Sequence, residues 1–248
     1  IVNAAAYTAV DKAETEKDKA YRINAEAVAL LANEAKQLNA WLIHYSSDYV
    51  FDGTKSNAYL ETDQTNPQSV YGKTKLQGEE AIKESECNHV IFRTSWIFAA
   101  RGDNFLKTMI RLAREQKELK VVSDQIGVPT SAELIADLTA LCLYQITRKK
   151  NSAHGATGIY HLTPEGKTSW HEFAQFVITE SLRLGATFLA GPDNVVPIRT
   201  SEYPLPAKRP SNSILDAQKL RNTFSVYMPP WQTHVKRLIT EIHTQQII

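Results

Sequence analysis

The chain has 248 residues, 43% of them hydrophobic and 22% charged, which is ordinary for one large globular domain or a core domain with a smaller partner. Its 28 Lys and Arg nearly balance 27 Asp and Glu, so net charge gives no support to a nucleic-acid or membrane-surface partner. Cys87 and Cys142 show no disulfide or zinc-ligand pattern and fit a reducing cytoplasm, and no apolar run is long enough for a membrane span.

Strand-like and helix-like segments alternate in the first half of the chain. Apolar residues recur at helical spacing in some segments, whereas others are short apolar runs typical of buried strands. The predicted strands are Ile1–Ala6, Trp41–Ser46 and His89–Ser95, and the predicted helices are Glu16–Leu38, Val70–Ser85 and Asn104–Lys117. This alternation predicts an α/β fold, a doubly wound parallel sheet of Rossmann type, in a dinucleotide-binding domain at residues 1–120.

The second half, residues 121–248, is predicted to form mainly a smaller α/β substrate-binding lobe, with some segments returning to the core. Ser169 and Glu172 form a capping-box pattern at the start of one helix, and Pro229 and Pro230 are placed to open the last one. The predicted elements are helix Ser131–Lys150, strand Gly158–Leu162, helix Ser169–Leu184 and a final helix from Pro229.

Tyr71 and Lys75 are the residue pair that points to catalysis. They are four positions apart near the start of a predicted helix, so both side chains lie on one face, one turn apart. A phenol has a pKa of about 10, and a neighbouring ammonium that lowers this pKa improves proton transfer at neutral pH. The same spacing also occurs by chance on solvated helix faces.

Ser46, Ser47 and Asp48 lie where the predicted buried strand Trp41–Ser46 runs into the following loop. In a doubly wound sheet, ligands bind at the carboxyl ends of the strands, which places two hydroxyls and an acid near a substrate. Turn formation or helix capping is the structural alternative for the serines. The long polar loop 48–67 offers no immediate helix to cap, and this favours the functional interpretation.

Several stretches, taken in order along the whole chain, resemble the extended short-chain dehydrogenase/reductase family. Within it they are similar to the reductases that complete dTDP-L-rhamnose synthesis. A Tyr-x-x-x-Lys motif alone is weak, but this ordered set is specific. The stretches are Asn3–Glu14, His44–Gly53, Tyr71–Lys75, Phe92–Trp96, Gly102–Phe105, Asp124–Thr130 and Arg209–Ser213.

The resemblance implies a reductase that uses NADPH or NADH. Hydride would pass from the nicotinamide to the C4 keto carbon of dTDP-6-deoxy-L-lyxo-4-hexulose, the dTDP-4-dehydro-6-deoxy-L-mannose substrate. By the same resemblance, Tyr71 protonates the developing alkoxide, and Lys75 holds the nicotinamide ribose and lowers the Tyr71 pKa. Ser47 stands where the family commonly has Thr and would hydrogen-bond the substrate oxygen.

Further binding roles are implied by the resemblance alone. Ala6, Tyr7 and Thr8 would form the turn beside the cofactor, although small residues there also suit tight packing. Trp96 could equally be a buried core residue. Lys208 and Arg209 could equally be two basic residues on the solvated surface. The implied sugar contacts are Ser47, Asp48 and Trp96, and the implied diphosphate contacts are Asn104, Lys208 and Arg209.

The family also suggests Mg²⁺ dependence and a homodimer, whereas the predicted cytoplasmic location rests on the cysteine content. Glu133 and Glu241 lie in segments similar to those that supply carboxylates, although isolated helical glutamates are more often surface charges.

The main departure is that no GxGxxG or GxxGxxG occurs among the ten glycines. The family has this loop before the segment with which this chain begins, so we expect two βα units, roughly 60 residues, to be missing. The residue that separates NAD from NADP would be missing with them. We therefore expect the chain alone to be a fragment that binds dinucleotide poorly and has little activity.

Two other functions stay open at this level. A nucleotide-sugar epimerase or dehydratase of the same superfamily would use the same Tyr/Lys pair. A non-catalytic regulatory subunit would keep the fold without turnover, although an intact Tyr71, Lys75 and Ser47 argues against it.

Overall fold

The computed structural model describes residues 1–148 and 153–245. Within these ranges the strands β1 to β10 are Val2–Asn3, Leu42–Ser47, His89–Thr94, Ile97–Phe98, Leu119–Val122, Ile126–Gly127, Thr130–Ser131, Gly158–His161, Thr168–Ser169 and Val195–Ile198. The helices α1 to α9 are Val10–Ala13, Lys17–Tyr21, Ala27–Gln37, Val70–Glu84, Phe105–Glu115, Ala132–Arg148, Trp170–Arg183, Gln218–Phe224 and Trp231–Gln245.

Side-chain caps fix where the predicted helices begin. The Ser69 hydroxyl accepts a hydrogen bond from the backbone N–H of Gly72, so α4 begins at Val70 as predicted. At α7 the predicted capping box is confirmed, because Ser169 and Glu172 each accept from the other's backbone N–H. None of the helices in the described part of the chain is long and apolar enough to cross a membrane.

The single helix predicted over Glu16–Leu38 is interrupted. Between α2 and α3 the backbone forms a π-helical segment, Arg22–Glu26. Its Asn24 is buried and bonds to the backbone of the chain before α1. Because a π-helical turn adds a residue to the helix, hydrophobic spacing alone does not reveal it.

The chain divides into two compact units. The first contains Ile1–Thr94, Asp137–Leu162 and Leu205–Tyr227, and the second contains Ser95–Ala136, Thr163–Pro204 and the chain from Met228. This division differs from the predicted domains 1–120 and 121–248: residues 95–120 belong to the second unit. Two later segments, Asp137–Leu162 and Leu205–Tyr227, belong to the first unit.

The first unit is built on a parallel sheet with the order β1-β2-β3-β8. Strands β2 and β3 are buried along nearly their whole length, as parallel strands flanked by helices usually are. A core cluster joins α3, β2, α4 and β3 through Val28, Leu42, Ile82 and Ile91. The predicted parallel α/β sheet is therefore confirmed. It places the carboxyl ends of β2 and β3 side by side, with Ser47 opposite Thr94.

The second unit contains three strand pairs. Strands β5 and β10 are parallel, β4 and β7 are parallel, and β6 and β9 are antiparallel. An aromatic cluster packs helix α7 against α5 and α9. Phe173 lies 5.4 Å from Phe105 and 5.7 Å from Trp231, measured between ring centroids.

Candidate active site

Strand β2 and helix α4 bring the predicted catalytic residues together in the first unit. Ser47 is the last residue of β2, and Tyr71 and Lys75 occupy the first two turns of α4. Tyr71 packs on a small cluster that contains Tyr7 and Ala13. The turn after β1, the end of β2 and the start of α4 therefore meet at one place.

Lys75 is buried, with 1% of its surface exposed. Its ammonium donates to the Tyr45 carbonyl at 2.6 Å and lies 3.3 Å from the His44 Nε2 atom. Burial lowers the Lys75 pKa to about 8, and the Glu79 carboxylate, one turn further along α4, opposes this shift. An ammonium has three N–H donors, so these two contacts leave one for a ligand.

Tyr71 is half-buried, and its ring meets the Tyr49 ring edge-on at 5.5 Å. Burial raises the Tyr71 pKa to about 12; the neighbouring Ser47 hydroxyl lowers it, and the Asp48 charge raises it further. The expectation that Lys75 lowers this pKa is wrong for this structure. The Lys75 ammonium is directed at β2, so desolvation dominates and Tyr71 is a neutral phenol at pH 7.

Ser47 has a structural role that was not expected. Its hydroxyl accepts from the Tyr49 backbone N–H at 3.1 Å and so caps a 3-10 turn, Asp48–Val50. The expectation that no helix follows to be capped is therefore wrong, because one short turn forms at the start of the loop. The same hydroxyl donates to the Asp48 carboxylate at 2.9 Å, which fixes its orientation beside Tyr71.

Asp48 is almost fully buried. Burial raises its pKa to about 6, although contacts with Ser213 and Ser47 favour the charged form. A carboxyl group in this position changes charge close to neutral pH, next to the candidate proton donor Tyr71. It is therefore a candidate for pH-dependent behaviour of the site.

Asn24 is a site residue that sequence reasoning missed. The Asn24 side chain accepts from the Tyr7 backbone N–H at 2.8 Å and donates to the Tyr7 carbonyl at 3.1 Å. It also donates to the Thr74 hydroxyl on α4 at 3.2 Å. Asn24 thus ties the predicted cofactor turn, in which Ala6 is half-buried and Thr8 is exposed, to the catalytic helix. The available signal was an amide placed among the apolar positions of a predicted helix.

Arg209 lies in the first unit, and neighbouring Lys208 is exposed. The Arg209 guanidinium pairs with Asp11 at 2.7 Å and lies over the Tyr49 ring at 5.9 Å. Since Tyr49 packs on Tyr71, this places a cation in the neighbourhood of the catalytic pair.

Buried hydroxyls at the carboxyl ends of the strands have unused hydrogen-bonding capacity. Within the described ranges, neither the Ser46 Oγ atom on β2 nor the Thr94 Oγ1 atom on β3 has a hydrogen-bond partner. Buried polar groups are rarely left unpaired in proteins. These hydroxyls lie where open α/β sheets bind their ligands.

Comparison with known proteins identifies the family. The model of the RmlD substrate binding domain matches residues 1–244. The chain belongs to this family. A dTDP-4-dehydrorhamnose reductase of Shigella flexneri is 48% identical over 248 residues, covering 100% of this chain and 81% of the relative. The chain is also similar to relatives of known structure.

Two crystal structures of RmlD-family reductases have the same fold as this chain. A dTDP-4-dehydrorhamnose reductase from Clostridium acetobutylicum is 38% identical, with a TM-score of 0.83, and the match covers 98% of this chain and 80% of that one. A Bacillus anthracis dTDP-4-dehydrorhamnose reductase in complex with NADP is 36% identical, with a TM-score of 0.84. That match covers 97% of this chain and 80% of that one.

The residues of this RmlD-family chain fit the nicotinamide end of a dinucleotide. A buried ammonium with a spare N–H suits ribose hydroxyls, and a neutral phenol one turn earlier suits proton donation. The glycine-rich loop that would carry the pyrophosphate does not occur in the 248 residues.

Trp96 and Asn104 belong to the second unit, whereas the residues grouped above belong to the first. Trp96 is half-buried, has a positive φ of 49° and stacks on Trp170 at 3.5 Å, and the backbone of Gly127 lies close to its ring. Asn104 caps α5: its side chain accepts from the Lys107 N–H and donates to the Ala99 carbonyl. Local structure therefore accounts for both side chains, and their substrate roles stay predictions.

The predicted metal ligands Glu133 and Glu241 receive no support. In residues 1–148 and 153–245, no group of three or more His, Cys, Asp or Glu side chains is arranged to hold a metal ion. Glu133 is a half-exposed residue of α6, and Glu241 is a half-exposed residue of α9. Both positions fit the alternative that these glutamates are surface charges.

Proposed function

We propose that this chain catalyses the final step of dTDP-L-rhamnose synthesis, the reduction of the 4-keto group of dTDP-4-dehydro-6-deoxy-L-mannose. The observation that carries the proposal is a neutral, half-buried Tyr71 one turn from a buried Lys75, in a chain 48% identical to a reductase named for this reaction. NADPH is the proposed reductant, supported by the relative that binds NADP.

A bound dinucleotide supplies the hydride that reaches the C4 carbon. Tyr71 donates its phenolic proton to the C4 oxygen, so the carbonyl becomes an alcohol and Tyr71 becomes a phenolate that regains its proton from solvent. A pKa of about 12 keeps this proton on Tyr71 until charge develops on the substrate oxygen. The adjacent Ser47 hydroxyl lowers the Tyr71 pKa and favours the phenolate left behind, which requires its single proton to turn from the Asp48 carboxylate to Tyr71.

The proposed role of Lys75 is to orient the nicotinamide ribose. The Lys75 ammonium is fixed by the Tyr45 carbonyl and by His44, and its remaining N–H is available for the nicotinamide ribose. Because α4 carries both residues, the position of the ribose and the position of the phenol are set by one helix. Holding reactants in this way lowers the entropic part of the barrier.

Sugar contacts of Asp48 and Trp96, and diphosphate contacts of Asn104 and Arg209, are part of the proposal. Homodimer formation, a cytoplasmic location and a Mg²⁺ requirement stay predictions. The epimerase, dehydratase and regulatory-subunit alternatives receive no specific support: solved dehydratase structures are 15% identical and share the fold alone.

The test is NADPH oxidation with the dTDP-linked 4-keto sugar, in the protein as its gene encodes it. Tyr71→Phe removes the proton donor and keeps the ring, so kcat should fall by roughly 10²–10⁴-fold with little change in NADPH affinity. Tyr227→Phe, at an exposed tyrosine, is the matched control and should leave kcat unchanged.

Two outcomes would contradict the proposal. One is full activity in Tyr71→Phe. The other is conversion of the sugar without stoichiometric NADPH consumption, since an epimerase recycles its cofactor.

A further inference from the structure

His44 is a fully buried histidine of β2 that lies between Asn3 on β1 and Lys75 on α4. The His44 Nδ1 atom is 3.1 Å from the Asn3 Nδ2 atom, and its Nε2 atom is 3.3 Å from the Lys75 Nζ atom. Burial and the Lys75 charge lower the His44 pKa well below its usual value, so the ring is neutral at pH 7. A neutral imidazole has one donor nitrogen and one acceptor nitrogen.

Asn3 has a preferred orientation. Its Oδ1 atom accepts from the Ala5 backbone N–H at 3.1 Å, which directs the Asn3 Nδ2 atom at the His44 ring. With Asn3 donating to Nδ1, the His44 proton lies on Nε2, where it can be donated to an uncharged Lys75 amine. When Lys75 is charged, Nε2 must accept instead and the His44 proton moves to Nδ1. The Asn3 amide must then turn its Oδ1 atom toward Nδ1 and give up its bond with the Ala5 N–H, so the two protonation states of Lys75 need two arrangements of the His44–Asn3 pair.

The charged groups around Lys75 allow both of its states near neutral pH. Burial lowers the Lys75 pKa to about 8, whereas Glu79 on the same helix raises it. Glu79 is itself held in a bidentate pair with Arg93 on β3, which shares its charge. Tyr71, on the preceding turn of α4, is neutral in this range.

We propose that His44 is a positioning residue for Lys75, holding its amine at β2 and exchanging tautomers as that amine gains or loses its proton. The statement that Lys75 contacts the dinucleotide rests on the proposed function; the coupling between His44 and Lys75 does not. In the reaction, His44 never touches substrate or cofactor. It fixes the direction in which Lys75 offers its remaining N–H.

The first test needs neither substrate nor cofactor. The ring nitrogens of His44 are followed by ¹⁵N NMR between about pH 6 and about pH 10, a range that brackets the Lys75 pKa. We expect the ring proton to move from Nδ1 to Nε2 in one step near pH 8, and the step to vanish in Lys75→Met. Constant His44 shifts throughout this range, or an unchanged step in Lys75→Met, would overturn the coupling.

The second test measures NADPH binding and kinetics in three variants. His44→Leu removes the contact, so Kd and KM for NADPH should rise roughly 10–100-fold, the effect of losing one hydrogen bond to a charged group, with a much smaller change in kcat. His44→Gln retains a polar group and should restore most of the affinity. His89→Leu, at a buried histidine of β3 that bonds to the Cys87 carbonyl, should leave affinity unchanged.

Two results would overturn the positioning role: wild-type affinity in His44→Leu, or no rescue by His44→Gln at equal thermal stability. The two proposals fail separately. Missing turnover of the keto sugar would contradict the reductase and leave the NMR step intact. A missing NMR step in an active reductase would contradict only the role of His44.

Discussion

At the residue scale, burial decides the protonation of the candidate site more than charge pairing does. Desolvation raises the pKa of Tyr71 to about 12 and that of Asp48 to about 6, and it lowers the pKa of Lys75 to about 8. All three shifts favour the neutral form, as expected where water is excluded. As a result, Tyr71 is a proton donor at pH 7, and Asp48 and Lys75 titrate near neutral pH.

Asp48 should make the folded protein less stable as the pH rises. Its folded pKa of about 6 lies above the ordinary 3.8, so the folded state holds a proton that the unfolded state has lost between these values. Relative to Asp48→Asn, wild-type stability should therefore fall by about 3 kcal/mol from pH 4 to above pH 6. Urea unfolding of both proteins across this range measures the difference.

An exposed aspartate provides the control for this prediction. Asp193→Asn, at an exposed position, should show no such divergence from the wild type. The burial argument would be contradicted if the free energy of unfolding of the wild type increased relative to that of Asp48→Asn as the pH rises.

At the element scale, α4 organises the site. Tyr71, Lys75 and Glu79 occupy successive turns on one side of this helix, and Glu79 is joined to Arg93 on β3 by two hydrogen bonds of 2.9 and 2.6 Å. The Arg93 guanidinium also lies 5.0 Å from the centre of the Phe51 ring. This buried pair fixes the distance between the catalytic helix and the sheet.

Breaking the buried pair should be costly. Glu79→Gln leaves the Arg93 charge buried without its counterion, and the free energy of unfolding should fall by about 3–5 kcal/mol. Glu115→Gln is the matched control, since it breaks an exposed pair with Arg111 and should cost at most about 0.5 kcal/mol. Equal losses in the two variants, measured by denaturant unfolding, would contradict this account of α4.

Close backbone packing makes a second prediction for α4. A Cβ atom at Gly78 would lie 2.3 Å from the Asn24 carbonyl oxygen, so Gly78→Ala should push α4 away from the π-helical segment. The expected net cost is about 1–3 kcal/mol, despite the better helix propensity of alanine. Gly155→Ala, with no atom within 4 Å of the added carbon, should be nearly neutral. A stabilised Gly78→Ala would contradict the close approach.

Sequence periodicity and caps predicted the long elements well, because these signals are local. Helix α4 begins at Val70 as predicted, and α7 begins behind its predicted capping box. The short pieces were missed: the 3-10 turn Asp48–Val50 is capped by one hydrogen bond to the Ser47 hydroxyl, and the π-helical segment contains Asn24, whose side chain makes three hydrogen bonds. Such bonds cannot be predicted from a hydrophobic repeat in the sequence.

At the scale of the whole molecule, the chain returns to the first unit twice after leaving it at Thr94. Strand β8 pairs with β3, and the Tyr59 backbone bridges to that of Leu215. These pairings join residues far apart in sequence, so composition shifts could not locate the boundary between units. The same is true of Arg209, whose ion pair with Asp11 spans nearly the whole chain.

The candidate site was predictable where the family motifs name residues, and only there. The predicted Ser47, Asp48, Tyr71 and Lys75 lie together because α4 packs against β2 after the long loop between them, and the Lys75 ammonium bonds to the Tyr45 carbonyl. His44 begins the motif stretch His44–Gly53, but the sequence assigned it no role in the site. Its contact with Lys75 depends on which face of β2 meets α4, and a single sequence does not show that contact.

Hydride transfer to C4 of the sugar is the central claim, and deuterium tests it most directly. NADPH carrying deuterium at the transferable nicotinamide position is incubated with the dTDP-linked 4-keto sugar and the protein as its gene encodes it. The account predicts dTDP-L-rhamnose with one deuterium at C4 and one NADPH oxidised per product, and loss of both in Tyr71→Phe. A product without deuterium at C4, or a sugar converted while the deuterium stays on the cofactor, would contradict it.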